Sequence, residues 1–483
     1  MYGIPTRYET VKRLYPKEQT ALEESIGNGD PLNFMPNKFT EKDEMTWHYV
    51  QGKREKSVKY VLHAFGCLET GVKVCLDISG IYPSFDVRIP DGKDHGSVLI
   101  DLNKITYNAT GSENFTSEEI LAKQGFGYRS DLVKYAHLEF HDTRTRRGAL
   151  EAIRNAGFET ACDDKPFKRY YRKVLRDYGL TGADWLKIRN YTVADGDGGV
   201  FKRLALDIND IGVIADPLDE KQQAVAMRIK MKNPFLAKDK TLLMTWDIET
   251  EDLAQPGIVP EGASPTSSVF MVCSTFHWID SEEPIESICV TYLDSEPGDD
   301  WRTVKCDDER GVLEATMEMI HSMSPDIIVG FNDGAYDWPF VLAKLQKYDI
   351  ELEFYKQCSG LAIPNWSKLE YVRRDMLLEN RKIKIDAETD MFITCPDVPG
   401  IICVDSRIQM IQSLPPTPKQ SLNFFLEYHN LPLKVDMPYN QMFKIVKNRD
   451  VAGMKKVAEY CIVDAMSCQR LLLRRNVVRE KRE

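Results

Sequence analysis

Asp247 and Glu249 stand two residues apart at the end of an apolar run in "LLMTWDIETEDLA". Residues i and i+2 of a strand share a face, so the two carboxylates would point one way while Trp246 and Ile248 face the opposite layer. Alone, the pair reads as readily as the polar end of a strand, because Asp-x-Glu is a short and common pattern. Two further segments supply candidate partners. In "GFNDGAYDWPF", Asn332, Tyr336 and Asp337 follow an apolar strand at a strand-to-helix junction, where side chains reach over a sheet edge. In "VAEYCIVDAM", Tyr460 and Asp464 are four apart and share a helix face. Asp247, Asp337 and Asp464 are separated by 90 and 127 residues, compatible with distant elements converging in one domain. Four carboxylates and a tyrosine suit two-metal phosphodiester hydrolysis. Hard oxygen ligands hold Mg²⁺ or Mn²⁺. Two such ions stabilise the attacking and leaving oxygens of an in-line displacement. A tyrosine hydroxyl beside them can orient the attacking water.

The elements that must position these residues are written in hydrophobic periodicity. "TLLMTWDIE", "SVFMVCSTFHWI" and "IESICVTYLD" read as three successive apolar strands, with a long Pro/Gly/Ser loop from Gln255 to Ser268 between the first two. A helix over Glu309–Met323 leads to the buried-type strand "DIIVGF", followed by the helix "WPFVLAKLQKY". The stretch "RKIKIDAETDMFITC" reads as a hairpin, and helices run from "PKQSLNFFLEYHN" to "AGMKKVAEYCIVDAMSCQRLLLRR". Strands followed by helix–strand–helix alternation imply a mixed sheet flanked by helices. Upstream, residues 56–238 mix short strands such as "VKYVLHAF" and "VKVCLDISG" with helices, including "TRTRRGALEAIRNAG", which Asp142 would cap and Gly157 would end. That segment reads as an α+β domain. Residues 1–55, polar and proline-dotted, read as a surface-wrapping arm, and 473–483 as a basic tail.

A chain of 483 residues, 43% hydrophobic and 28% charged, fits two or three soluble globular domains. The N-terminus lacks an apolar core of signal-peptide length, and no apolar run reaches the length of a membrane span. The 11 cysteines are scattered without a CxxC pair, which suits a reducing, intracellular setting. The expected location is the cytoplasm or nucleus rather than outside the cell. A net charge of −11 argues against non-specific coating of nucleic acid, although local basic patches remain. One is "FKRYYRKVLRDYG", whose bland reading is a solvated face of an amphipathic helix. The tract "HLEFHD" reads as exposed surface, and "ADGDGGVF" as a turn that lacks the glycine and glutamate of a calcium loop.

The three segments resemble the Exo I, Exo II and Exo III motifs of DEDDy 3′→5′ proofreading exonucleases, in the arrangement found in family B DNA polymerases. The matching patterns are Asp-x-Glu, Asn-x-x-x-Tyr-Asp and Tyr-x-x-x-Asp, and "LNFFLEYHNLPLKVDMPY" and "YCIVDAMSCQRLL" are similar in flanking text. Upstream, "FDVRIPDG" and "AIRNAGFETACDD" resemble the amino-terminal domain of large DNA virus polymerases of the asfarvirus type. The resemblance implies a ribonuclease H-like exonuclease domain over 239–472, behind the α+β domain. It implies Asp247, Glu249 and Asp464 as ligands of two Mg²⁺ or Mn²⁺ ions, with Asp247 bridging and Asp337 supporting the second. It further implies Tyr460 positioning the water and Asn332 and Tyr336 holding the 3′-terminal nucleotide of a DNA primer or single strand. "ITCPDVPG" resembles the hairpin region that aids strand transfer.

The polymerising segments of family B, Asp-x-x-Ser-Leu-Tyr-Pro-Ser and Asp-Thr-Asp, are not among these residues; "GIYPSFD" shares only Tyr-Pro-Ser and reads as a turn into a strand. Three readings follow: a piece of a longer polymerase, one chain of a split polymerase with a palm-containing partner, or a stand-alone nuclease. A rival from another class is a nucleic-acid-binding or scaffolding subunit with weak nuclease activity, and an RNA-degrading DEDDy exonuclease shares the chemistry. A processivity factor is a further expected partner, and no membrane is.

Overall fold

The computed structural model describes residues 3–50, 53–111, 115–123, 132–161, 169–194, 202–214, 220–232, 236–255, 257–359, 378–385, 389–415, 417, 419–434 and 437–475. The end of the basic tail, most of the "ADGDGGVF" turn, and Phe167 and Lys168 of the basic stretch lie outside the described residues.

Asp247 and Glu249 sit on a six-stranded mixed sheet. Its spatial order is Arg302–Lys305, Glu286–Thr291, Ser267–Trp278, Leu242–Asp252, Ile327–Gly330 and Ile402–Asp405. The strand Leu242–Asp252 pairs antiparallel with Ser267–Trp278 and parallel with Ile327–Gly330. The expected helix Glu309–Met323 is present with those bounds; Asp308 caps it by accepting from the Gly311 amide. The helix Asp337–Lys347 follows the strand Ile327–Gly330, and Leu378–Lys384 pairs with Asp390–Pro396 as the expected hairpin. A 25-residue helix, Val451–Arg475, closes the other side. This is a mixed α/β fold of the ribonuclease H-like kind.

The sheet's two faces have separate cores. Met244, Trp246 and Ile248 join Val312, Ile320, Trp338 and Leu342 on one face. Phe270, Met271 and Cys273 meet Met454, Val457 and Cys461 of the long helix on the other. Trp246 and Trp338 lie with ring centroids 4.4 Å apart. Burying two such rings fixes which way the strand faces, because a one-residue slip would turn every side chain over.

The upstream part holds a seven-stranded sheet in the order Ile211–Val213, Leu186–Ile188, Leu32–Val50, Lys53–Leu68, Lys73–Ser79, Lys202–Asp207 and Thr192–Ala194. A three-stranded sheet of Ser84–Arg88, Leu132–Phe140 and Phe115–Lys123 packs with helices His95–Thr110 and Thr143–Asn155. Asp142 caps the latter, accepting from the Thr145 amide at 2.7 Å, and Gly157 past its end takes φ +87.

Residues 1–55 correct one expectation. They are not an arm: helices Arg7–Leu14 and Pro16–Asn28 lead into the strand Leu32–Val50, which pairs antiparallel with Lys53–Leu68 around one register shift between Pro36 and Lys38, so a boundary at 55 would cut a hairpin. The charged run "EKDEM" hid the strand, because its half-buried face is made by Glu41 and Asp43, which take hydrogen bonds from Tyr170, Tyr171 and Thr143, rather than by apolar residues in alternation. Two other tracts resolve more simply. In the basic stretch, Tyr170 and Tyr171 are core residues whose amides both donate to Glu41 at 2.6 Å. In "HLEFHD" His137 is half-buried rather than exposed, its Nδ1 2.6 Å from Asp86 Oδ1.

Candidate active site

Asp247 and Glu249 leave the strand on the face turned away from Trp246 and Ile248, toward the long helix; Glu249 is buried and Asp247 partly so. A register shift after Glu249 ends the regular pairing at this point. Oxygens of both carboxylates and the Cys461 sulfur lie within 4.8 Å of one another. Asp337, the first residue of its helix, is buried and takes a hydrogen bond from the Ile248 amide, between the two strand carboxylates. Asp464, also buried, comes from the long helix, and with Asp247 it lines a cleft of about 600 Å³.

Electrostatics tie the four together. Burial, then the carboxylates of Asp464, Asp337 and Glu249, push the Asp247 carboxyl well above its ordinary range. Glu249 is pushed up to about 8, by burial first and Asp464 second. Asp337 is pushed up to about 7, chiefly by burial. Like charges gathered away from water favour protonation unless a cation joins them. The four carboxylates offer hard oxygen donors, the kind that Mg²⁺ and Mn²⁺ prefer, with the softer Cys461 sulfur beside two of them. Asp247, Glu249, Asp337 and Asp464 therefore fit a divalent cation.

Tyr460 lies one helical turn before Asp464, and one cation bridges them. Lys434 Nζ donates to Asp464 Oδ2 at 2.6 Å and to the Tyr460 hydroxyl at 3.0 Å, and it sits 4.8 Å above the Tyr460 ring centre. Burial disfavours the ammonium, but Asp464 and Tyr460 outweigh it and raise the Lys434 pKa. The Tyr460 hydroxyl is raised by burial first and Asp464 second, so it stays a neutral phenol.

Asn332 adopts φ +66, a left-handed conformation that asparagine tolerates better than most residues. Its amide donates to Asp405 Oδ1 at 3.0 Å, and its side-chain oxygen accepts from Arg407 at 2.7 Å. Gly334 completes the turn where a Cβ would come within 2.6 Å of Ile393. The Tyr336 hydroxyl lies 2.8 Å from Thr250 Oγ1 and donates to the Pro260 carbonyl at 3.1 Å. It is anchored to the far end of the first strand, while Asn332 lines the cleft with Asp247. The fold thus brings Asp247, Glu249, Asp337, Tyr460, Asp464 and Asn332 to one place, with Tyr336 at its edge.

Sequence reasoning passed over three residues of this site. Lys434 lies in the quoted "LPLKVDMPY" flank, where only its place between two motifs hinted at a role. Asp405 ends a strand and caps the helix Ser406–Ser413, accepting from Arg407 and Ile408 amides. Arg407 follows on that helix. Strand-then-Asp before a helical run is a readable cap signal, but nothing local ties it to Asn332.

Residues 167–422 match the family described as DNA polymerase family B, exonuclease domain. The chain is 32% identical over 484 residues to a DNA polymerase beta of African swine fever virus (isolate Tick/Malawi/Lil 20-1/1983), covering 99% of this chain and 36% of that one. It is 24% identical over 307 residues to the DNA polymerase delta catalytic subunit of Bos taurus, covering 59% of this chain and 26% of that one. The family B DNA polymerase of the archaeon Pyrobaculum calidifontis shares the fold with a TM-score of 0.54 at 15% identity, over 91% of this chain and 45% of that one. The chain spans about a third of the length of the viral relatives it matches. Among the described residues no helix is long and apolar enough to cross a membrane. The chain belongs to the family B DNA polymerases and carries their exonuclease domain.

Proposed function

We propose that the chain removes nucleotides from the 3′ end of a DNA strand by metal-assisted phosphodiester hydrolysis, as the proofreading part of DNA replication. The observation that carries this reading is the gathering of four electrostatically coupled carboxylates from three elements, two of which, Asp247 and Asp464, line one cleft with Asn332, while Tyr460 shares Lys434 with Asp464. Asp247, Glu249 and Asp464 would hold two Mg²⁺ or Mn²⁺ ions, with Asp337 supporting the second. Bound there, the ions would neutralise the phosphate and stabilise the attacking and leaving oxygens.

The chain's own residues supply orientation. Lys434 occupies one lone pair of the Tyr460 oxygen, leaving its O–H and one lone pair for a water molecule. As a neutral phenol Tyr460 positions that water and does not take its proton. Asn332 and Tyr336 would hold the terminal nucleotide.

The test is a primer with a mismatched 3′ end, incubated with the purified chain and Mg²⁺. Metal-dependent shortening that disappears in Asp247→Ala/Glu249→Ala supports the reading. Wild-type protein that cuts no faster than this double variant sinks it. Strand binding without cleavage would favour a binding subunit instead, and preference for RNA ends an RNA-degrading enzyme.

A further inference from the structure

Arg407 is a cation at the cleft wall whose role none of the recognised motifs explains. Its side chain is half-buried on the first turn of the helix Ser406–Ser413, and it lines the same cleft as Asp247, Lys434 and Asp464. Two carboxylates, Asp247 and Asp464, line the same cleft, yet among the described residues Arg407 makes no ion pair within 4 Å. Its guanidinium instead donates to two neutral amide oxygens, Asn332 Oδ1 at 2.7 Å and Gln420 Oε1 at 3.1 Å. A guanidinium carries five N–H donors in a rigid fork and no acceptor. Two named contacts leave donors over.

The contact with Asn332 has a consequence of its own. Because arginine only donates, the Asn332 oxygen must face it, and the amide NH₂ must then face the other way. Arg407 therefore sets the orientation of Asn332, so that the asparagine offers donors. The backbone of Asn332 is held from the same short segment, since Asp405 Oδ1 accepts from both the Asn332 and Arg407 amides. One cap thus fixes both residues against each other.

We propose that Arg407 is the backbone anchor of the substrate strand: its free N–H donors take a phosphodiester oxygen of single-stranded DNA while its other edge holds Asn332 with its amide donors toward the strand. This rests on the cleft being the strand-binding site of the function proposed above. The chemistry favours an anion with several planar-presented oxygens, which a guanidinium grips better than an ammonium does. A protein whose net charge is −11 needs such local cations to bring a polyanion to a carboxylate site.

The experiment uses the full chain in the Asp247→Ala/Glu249→Ala background, so that the DNA stays intact. The probe is a fluorescein-labelled single-stranded oligodeoxythymidylate, titrated at several salt concentrations. Arg407→Gln should weaken binding about tenfold, the loss expected for a charge-assisted contact. It should also lower the slope of log affinity against log salt by about 0.7, one phosphate contact on a single strand. Arg407→Lys keeps the charge and should restore the slope, while affinity stays below that of arginine because the fork to Asn332 is lost. Unchanged affinity and slope in Arg407→Gln overturn the proposal. So does weaker binding with an unchanged slope, which would mark a structural role only. The binding readout needs no catalysis, so an inert wild-type chain in the mismatch assay would sink the proposed function without deciding this one.

Discussion

Lys434 is the residue on which the site's charge balance turns. It faces Asp464 at 2.6 Å amid carboxylates that burial has already driven toward protonation. Replacing it with methionine keeps the bulk but leaves Asp464 uncompensated and Tyr460 without its donor. The expected result is a loss of about 1–3 kcal/mol of stability and a large drop in cleavage; wild-type activity in Lys434→Met would sink this account. Glu249 argues in the opposite direction. Its folded pKa of about 8 lies above the ordinary value of about 4.3, so between those values the folded state binds more protons than the unfolded. Stability is thus fully present below the lower value and falls as pH rises through the window. Thermal melts in a chelator should fall from about pH 5 to about pH 8, and Glu249→Gln should flatten that fall and be roughly 1–2 kcal/mol more stable at the upper end. A melt equally pH-dependent in the variant would refute it. The motif residues were legible because two-residue and four-residue spacings are local facts of strands and helices. Lys434, Asp405 and Arg407 were not, since a loop and a cap reach the cleft only through tertiary packing.

Elements were legible where their pattern is local and strong. The helix Glu309–Met323 has an aspartate cap and an apolar stripe, and Trp246 and Ile248 marked the buried side of their strand. The strand Leu32–Val50 was not, although part of its partner Lys53–Leu68 was, because its stretch from Lys38 to Glu44 is mostly charged and carries no apolar alternation. A less visible feature joins these elements. Asp326, just before the strand Ile327–Gly330, is fully buried between Arg7 at 2.9 Å and Lys73 at 3.5 Å. Asp326 also accepts the Leu242 amide, so this cluster ties the first helix and the seven-stranded sheet to the start of the strand that carries Asp247. Burial lowers the Lys73 pKa to about 8 against the pull of Asp326, while the two cations hold the Asp326 carboxyl below its usual range despite its burial. Asp326→Asn would remove the carboxylate that faces two buried cations and should cost about 3–5 kcal/mol, far more than a surface pair. Urea unfolding measures this, and a change below about 1 kcal/mol would show the cluster to be energetically idle.

At the scale of the molecule, the boundary expected near residue 239 separates segments that do not separate in packing. Phe34, Leu62, Val74 and Leu186 of the seven-stranded sheet belong to the same continuous buried cluster as Trp246, Ile320 and Trp338 around the six-stranded sheet. Arg7 crosses the same junction with bonds to the carbonyls of Gly71, Lys240 and Ser324. A shared core of this kind makes the two sheets one cooperative unit, because neither can expose its side without losing burial worth roughly 25 cal/mol per Å². The full chain should therefore melt in a single transition by both near- and far-ultraviolet circular dichroism. Saturating Mg²⁺ should raise that one transition as a whole, by about 2.7 kcal/mol at a hundredfold excess over its dissociation constant. A chain beginning at residue 239 would leave Trp278 and Lys240 without the Tyr15 and Gly71 contacts that cover them. It should show helical signal without fixed aromatic packing. Two separated transitions in the full chain, with only the later one moved by Mg²⁺, would instead mean that the six-stranded sheet folds by itself and that the upstream sheet merely rests on it.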